Sequence, residues 1–303
     1  MDVPGLVVEL RPVESTGCLE LVPLRRQQDL VDQHRTTVPH IPYRAAAPDC
    51  DTVAVLEPEY SDDYTDPRLA IFYDQLNDWG PSDEFYLGRM MSATTVLDVG
   101  CGTGRLLHHA REAGHTGRLV GLDPASAMLD QAKVRTDVEW ILGDLGTAEF
   151  DREFDLVIMT GHVFQVFLSD EDIAASLAAV RSALATDGTF AFETLNPLRR
   201  PWEHWTGGAD VIAADGAIVT AENTNPQLVE PHIVEVTGRF SSPSWERDVL
   251  CPSKFRFVDI ETLDALLRDA GFVVVERYCG WDGQPYADDS PEIVTIAART
   301  RGA

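Results

Sequence analysis

The chain has 303 residues, long enough for one large domain with an appendage and an ample core. Its 24 Lys and Arg stand against 50 Asp and Glu, a net charge of −26, which disfavours nucleic acid and anionic membrane surfaces as partners because both need cationic side chains. The five cysteines (Cys18, Cys50, Cys101, Cys251, Cys279) are widely spaced with no C-x-x-C, an argument against zinc and against a disulfide framework.

No apolar run approaches membrane-spanning length, and Asp2, Pro4 and Glu9 around a short apolar patch do not make a signal peptide. The expected setting is the cytoplasm. Residues 1–65 carry no motif. Residues 7–13 and 19–24 read as a hairpin across Ser15-Thr16-Gly17, and residues 27–34 as a short helix. Residues 39–66, rich in proline and acids, read as a linker or arm. For this segment an oligomer contact or a substrate lid stands beside a dispensable extension or a start site placed too early. A helix is expected over residues 68–74.

Residues 96–104 read Val-Leu-Asp-Val-Gly-Cys-Gly-Thr-Gly. Val96, Leu97 and Val99 suit a buried parallel strand, and Gly100, Gly102 and Gly104 suit a tight strand-to-helix turn passing close to a ligand. A helix follows from Arg105, with Gly114 as its C-terminal glycine. The spacing is G-x-G-x-G rather than the dinucleotide G-x-G-x-x-G, and Asp98 stands two residues before the first glycine. A carboxylate there repels a pyrophosphate and suits an ammonium, so a cofactor with an amino-acid end fits better than one with two phosphates.

Residues 119–123 form a second strand, ending in Asp123 about 20 residues beyond the last glycine, where a carboxylate binds a ribose diol. Pro124-Ala125-Ser126 opens a helix with Met128, Leu129 and Ala132 on one face. A third strand, residues 138–142, ends in Gly143-Asp144-Leu145, and a fourth, residues 154–159, runs into Thr160-Gly161-His162. Each strand delivers a polar residue at its C-terminal end, where open parallel sheets bind ligands. A helix over 170–185 and a strand over 189–193 follow.

Beyond Glu193 the pattern becomes alternating. Strand-like runs lie at 211–214, 217–222 (across the Asp215-Gly216 turn signal), 233–240 and 248–257. They read as an antiparallel subdomain inserted after the fifth strand and covering the mouth of the site. A helix over 259–270 capped by Gly271, and strands at 273–277 and 292–298, complete the chain.

Asp98 with its three glycines, then Asp123, Gly143-Asp144, Phe154-Asp155-Leu156-Val157 and Leu184-Ala185-Thr186-Asp187-Gly188-Thr189 occur in an order and at intervals that resemble the class I S-adenosylmethionine-dependent methyltransferases, in the group acting on small molecules. The resemblance implies an α/β fold: a Rossmann-like seven-stranded sheet, last strand antiparallel, with helices on both faces and here the inserted antiparallel subdomain. It implies a methyltransferase domain over 66–303, with the insert at about 196–257, behind an extension over 1–65. The expected cofactor is S-adenosylmethionine, held by Asp98, Gly100, Cys101, Gly102, Gly104, Asp123, Pro124, Met128, Asp144, Leu145 and Thr160. In that scheme the glycine loop takes the methionine portion, Asp123 the ribose hydroxyls, Met128 and Leu145 the adenine faces, and Asp144 the adenine amino group. Thr160 contacts the amino end through its backbone. Two departures are visible: Thr-Asp-Gly where the family usually has Pro-Gly-Gly, and the long N-terminal segment.

Methyl transfer is an in-line displacement, so the protein mainly aligns a nucleophile and excludes water. His162, just past the fourth strand, is the candidate base or substrate anchor, set against the plainer role of a loop hydrogen bond. In similar enzymes a tyrosine at the end of the first helix faces the site, which makes Tyr73 the second catalytic candidate, with Trp79 beside it. Glu193 and Asn196 are candidates for positioning the acceptor or for holding a turn. Trp202, Trp205 and Trp245 suit an aromatic wall or packing under a lid. Cys101 suits a small residue in a tight turn better than a nucleophile, and His108 and His109 look structural. No His/Asp/Glu cluster has metal-ligand spacing, so the expected enzyme is metal-independent, a monomer or homodimer, acting on N or O of a small molecule. A nucleotide-dependent oxidoreductase is the alternative that the loop spacing and Asp98 oppose; a protein that binds S-adenosylmethionine without transferring methyl is the other.

Overall fold

The structure, a computed structural model, describes residues 8–12, 19–23, 59–62 and 64–300. The chain divides after residue 54 into two units. In the first, β1 (Val8–Pro12) and β2 (Leu19–Pro23) pair antiparallel, Val8 opposite Pro23 and Pro12 opposite Leu19. These are the strands of the expected hairpin. Its turn at 15–17, the helix expected at 27–34 and the linker from 39 to 58 lie outside the described residues.

The second unit starts with β3 (Glu59–Tyr60) and three helices: α1 (Pro67–Ala70), α2 (Tyr73–Leu76) and α3 (Pro81–Met90). The single helix expected over 68–74 is thus two short ones. Pro67 and the Asp66 cap, which accepts from the Arg68 N–H at 2.9 Å, start α1. Helix α3 was not foreseen. Pro81 opens it, and Asp83 Oδ2 accepts from the Gly80 N–H at 2.8 Å.

Then come β4 (Thr95–Val99), α4 (Arg105–Glu112), β5 (Arg118–Asp123), α5 (Ser126–Ala132), β6 (Glu139–Leu142), β7 (Phe154–Met159), α6 (Asp170–Ala183) and β8 (Leu184–Leu195). After β8 lie β9 (Gly207–Ile212), β10 (Ile218–Glu230), β11 (Ile233–Ser241) and β12 (Val249–Arg256), followed by α7 (Ile260–Asp269), β13 (Phe272–Tyr278) and β14 (Glu292–Arg299). The fifth main strand is longer than its expected 189–193, because Leu184 already pairs with Phe154 before a register shift.

Seven strands form the main sheet in the order β13-β14-β8-β7-β4-β5-β6. β14 runs antiparallel to both its neighbours, and the other six share one direction. Chain order reverses between β4 and β7, so the ligand crevice belongs outside the C-terminal ends of those strands. Alternation in β4 divides the core: Leu97 and Val99 face one side with Ile173, Leu177, Leu263 and Leu267 of α6 and α7, and Val96 faces the other with Tyr86, Met90 and Leu107 of α3 and α4. Burying each such side chain contributes roughly 2 kcal/mol. Asp155, at the opposite end of the sheet, accepts from the Thr94 and Thr95 N–H groups at 3.1 Å and fixes where β4 begins.

The inserted strands form their own antiparallel sheet, β12-β11-β10-β9, with β3 added in parallel along β12. Its apolar face, Val211, Val219, Phe240, Val249 and Cys251, takes Leu69 of α1 and Phe72. Among the described residues no helix is long and apolar enough to cross a membrane.

Candidate active site

The turn after β4 is built on three residues with positive φ: Gly100 at 72°, Gly102 at 55° and Gly104 at 72°. The Gly100 and Cys101 N–H groups both donate to the Leu122 carbonyl, at 2.8 and 3.2 Å, which ties the loop to β5. Only the middle glycine leaves room. A Cβ on Gly100 would lie 2.5 Å from Val163 Cγ2 and one on Gly104 2.3 Å from Trp140 Cη2, whereas on Gly102 the nearest neighbour is Tyr73 Cε1 at 3.9 Å. Gly100 and Gly104 let protein pack on the loop; Gly102 leaves a space beneath the Tyr73 ring.

Asp123 closes the loop from β5. Its Oδ2 accepts from the Gly102 N–H and its Oδ1 from the Ala125 N–H, both at 2.8 Å. Burial raises its pKa, against the pull of those two donors. Asp98 is 1% exposed, and its Oδ1 has no hydrogen-bond partner among the described residues. Burial, then the charges of Asp123 and Glu193, push its pKa up to about 8. The site therefore contains a buried carboxyl lacking a counter-charge.

Tyr73 is carried over the loop by three hydrogen bonds made by its helix neighbours Asp74 and Gln75. Thr103 Oγ1 donates to Asp74 Oδ1 at 2.8 Å, and Gln75 exchanges two 3.2 Å bonds with the backbone of Ile212 on β9. Met128, 1% exposed, packs with Tyr73 and Ala70, Ala125 and Ala127. Arg105 donates to the Asn77 carbonyl and lies 3.5 Å from Asp83, holding the turn between α2 and α3 against α4. Trp79 lies against His109 with its ring tilted, centroids 4.0 Å apart, and donates to Glu84, so it serves packing between α3 and α4.

Other expected residues separate in position. Pro124 is exposed at the end of β5, and Leu145 is buried in the core beside Val99 and Leu122. Asp144 is exposed, its Oδ1 accepting from Gly146, from Thr147 and from the Thr147 hydroxyl at 2.9–3.1 Å, a turn of its own making. Cys101 turns its sulfur toward Gly121, where a Cβ would lie 2.8 Å away, and burial pushes its pKa well up, so the thiol is inert packing. Thr160 is half-buried and its carbonyl accepts from the Val163 N–H.

His162 stands beside Gly161 in the left-handed region, φ 62°. Its N–H donates to Glu193 Oε1 at 2.9 Å, and its Nε2 lies 3.2 and 3.3 Å from the two oxygens of Glu292. Burial would lower its pKa, but the Glu292 hydrogen bond and the Glu193 and Glu292 charges raise it on balance. Buried Tyr86 donates to Glu193 Oε2, and burial raises the Glu193 pKa against the opposing effect of His162 and Tyr86. Gln165 anchors the turn after His162: its Nε2 donates to Arg256 of β12 at 3.2 Å and its Oε1 accepts from Leu195 at 3.0 Å. Asn196 donates to the Asp288 and Ser290 carbonyls, a structural role, and Trp202 and Trp205 pack on Phe257. Trp245 packs on the insert core. Sequence reasoning missed Glu292, which reaches His162, and Tyr86, which reaches Glu193, both from elements far away in the chain.

Comparison with known proteins agrees with this geometry. The family described as a methyltransferase domain matches residues 96–188, from β4 into β8. The 2-phytyl-1,4-naphtoquinone methyltransferase of Thermosynechococcus vestitus is 30% identical over 226 residues, covering 70% of this chain and 90% of that protein. The cypemycin N-terminal methyltransferase of a Streptomyces species is 25% identical over 227 residues, 70% of this chain and 85% of that protein. The structure of the CcbJ methyltransferase from Streptomyces caelestis matches with a TM-score of 0.63 at 20% identity, covering 80% of this chain and 100% of that one, a likeness of fold. Sheet order, loop and relatives concur, and the chain belongs to the class I S-adenosylmethionine-dependent methyltransferases, of the type that acts on small molecules.

Proposed function

We propose that residues 66–303 form the catalytic domain, with the insert at about 196–257, and that it moves a methyl group from S-adenosylmethionine to a nitrogen or oxygen of a small molecule. The observation that carries this reading is the buried, unpartnered Asp98 oxygen at the end of β4, the strand that leads into the glycine turn where Gly102 leaves open space. A cationic ligand resolves that orphan, and the amino-acid end of the donor supplies one. Asp123 keeps lone pairs for a ribose hydroxyl while its two backbone donors fix its orientation. Met128 is buried with Tyr73 against it, so its contact with the adenine requires the side chains over it to move aside.

The donor brings a methyl on a sulfonium that needs no further activation. The residues of the chain then align and dehydrate. Tyr73 roofs the loop, and His162, at the end of β7, takes a proton from the acceptor or anchors it, a contribution of about 10²–10⁴-fold where a base is needed. Titration calorimetry should show binding of S-adenosylmethionine and of its demethylated product but not of NAD(H), and labelled donor should transfer its methyl within a panel of small amines and alcohols. Binding of NAD(H) in place of S-adenosylmethionine would overturn the reading.

A further inference from the structure

At the ends of β7, β8 and β14, Glu193 and Glu292 both bond one residue, His162. A φ of 62° and ψ of 25° at His162 strains a side-chain-bearing residue, and such outliers persist where surrounding structure holds them. Here Glu193 holds the backbone through the His162 N–H, and Tyr86 of α3 holds Glu193. Glu292 of β14 holds the ring through Nε2. A carboxylate only accepts, so Nε2 carries the hydrogen, and in the neutral ring the lone pair sits on Nδ1. Nδ1 has no hydrogen-bond partner among the described residues, and the side chain remains 33% exposed. A loop histidine needs none of this support.

The surroundings also select a charge. Glu292 holds the ring edge through Nε2, and Glu193 lies against the His162 backbone N–H, its charge adding to that of Glu292 at the imidazole. The nearby Arg89 acts on Tyr86 and is itself paired with Glu276 at 2.5 Å. An oxyanion nucleophile formed amid these carboxylates is repelled, whereas a nitrogen that is cationic both before and after reaction is attracted.

We propose that Glu292 is a positioning residue that makes His162 Nδ1 the proton acceptor for a protonated amine, so that nitrogen rather than oxygen receives the methyl. The proposal rests on the methyltransferase reading above. The ammonium gives one proton to Nδ1, and the lone pair so released on nitrogen attacks. The new C–N bond forms as the C–S bond breaks, its electron pair staying on sulfur. The positive charge passes from sulfonium to the methylated nitrogen, and the imidazolium returns its proton to water.

Nitrogen-15 NMR of His162 in the full chain with bound S-adenosylhomocysteine tests the positioning role. The neutral ring is expected to carry its proton on Nε2. Glu292→Gln is expected to lower the ring's proton affinity by roughly three-fold or more, with Glu292→Asp restoring part of it. A proton on Nδ1, or an unmoved titration in Glu292→Gln, overturns it. Calorimetry on the same complex with matched probes (hexylamine and hexan-1-ol, phenethylamine and phenethyl alcohol, glucosamine and glucose) tests the nitrogen assignment. Each amine is expected to bind at least ten-fold more tightly; equal binding or a tighter alcohol overturns it. Failure of S-adenosylhomocysteine to bind at all would count instead against the functional reading, so the two failures are distinct.

Discussion

Thr103 in the glycine loop donates its hydroxyl to Asp74 on α2 at 2.8 Å, one residue along from Tyr73, so the roof of the site and its floor are joined by a single side-chain contact. Thr103 is 5% exposed while its acceptor Asp74 is exposed, so the bond is only half shielded from water. Thr103→Val is expected to cost about 1 kcal/mol of stability and to weaken donor binding several-fold. A double-mutant cycle with Asp74→Ala, read by thermal melts and calorimetry, should return a coupling of about 0.5–1 kcal/mol. Additive effects would mean that the contact does not hold Tyr73 in place.

Asp98 gives a pH signature. Its pKa in the folded protein is about 8 against an ordinary 3.8, so folding binds an extra proton between those values. The resulting penalty is absent below about pH 4, grows as pH rises through the folded pKa and is constant above it. Asp98→Asn should therefore raise the melting temperature of the donor-free protein at pH 8 by about 5 °C or more, change it little at pH 4, and lower donor affinity about 100-fold. In the wild type, donor binding near pH 7 should release a proton, visible as a calorimetric enthalpy that depends on the ionisation heat of the buffer.

Asp123→Ala removes both the proposed ribose contact and the acceptor of two backbone N–H groups. Donor affinity is expected to fall by about 100-fold, with a stability loss of about 1–3 kcal/mol from the orphaned donors. Full donor affinity in calorimetry would refute the ribose assignment.

The three loop glycines should respond differently to alanine. Gly104→Ala drives a Cβ to within 2.3 Å of Trp140 at a φ of 72° and is expected to destabilise by about 2–4 kcal/mol. Gly102→Ala meets nothing nearer than 3.9 Å and carries only the strain of its φ, about 1 kcal/mol, so its effect should fall on donor affinity. Melting curves and donor titrations on both variants separate packing from ligand space.

Where function is encoded locally, the sequence was legible. Asp98, the glycine turn and Asp123 lie on consecutive parallel strands, and the order of the strand ends places them together. The inserted strands showed through their alternation. What stayed hidden depends on distant pairing. Glu292 reaches His162 because β14 runs antiparallel to β8, Val294 opposite Glu193, a register that no spacing along the chain announces. Helix α3 carries Phe85, Tyr86 and Met90 without a clean 3.6-residue stripe, so its start signals, Pro81 and Asp83, had no periodicity to confirm them. Asp144 and Leu145 were placed by motif, and their surroundings reflect tertiary context: one closes its own turn, the other fills the core.

The two-residue strand β3 sets a limit on how far the chain can be shortened. Glu59 donates its N–H to Asp248, Ser61 to Leu250, and Glu59 pairs with Arg68 at 2.8 Å. Trimming to residue 66, the expected start of the methyltransferase domain, strips the flank of β12 and leaves its backbone groups open to another chain. A shortened enzyme that starts upstream of Glu59 keeps that flank covered; one that starts at Pro67 presents a template for self-association.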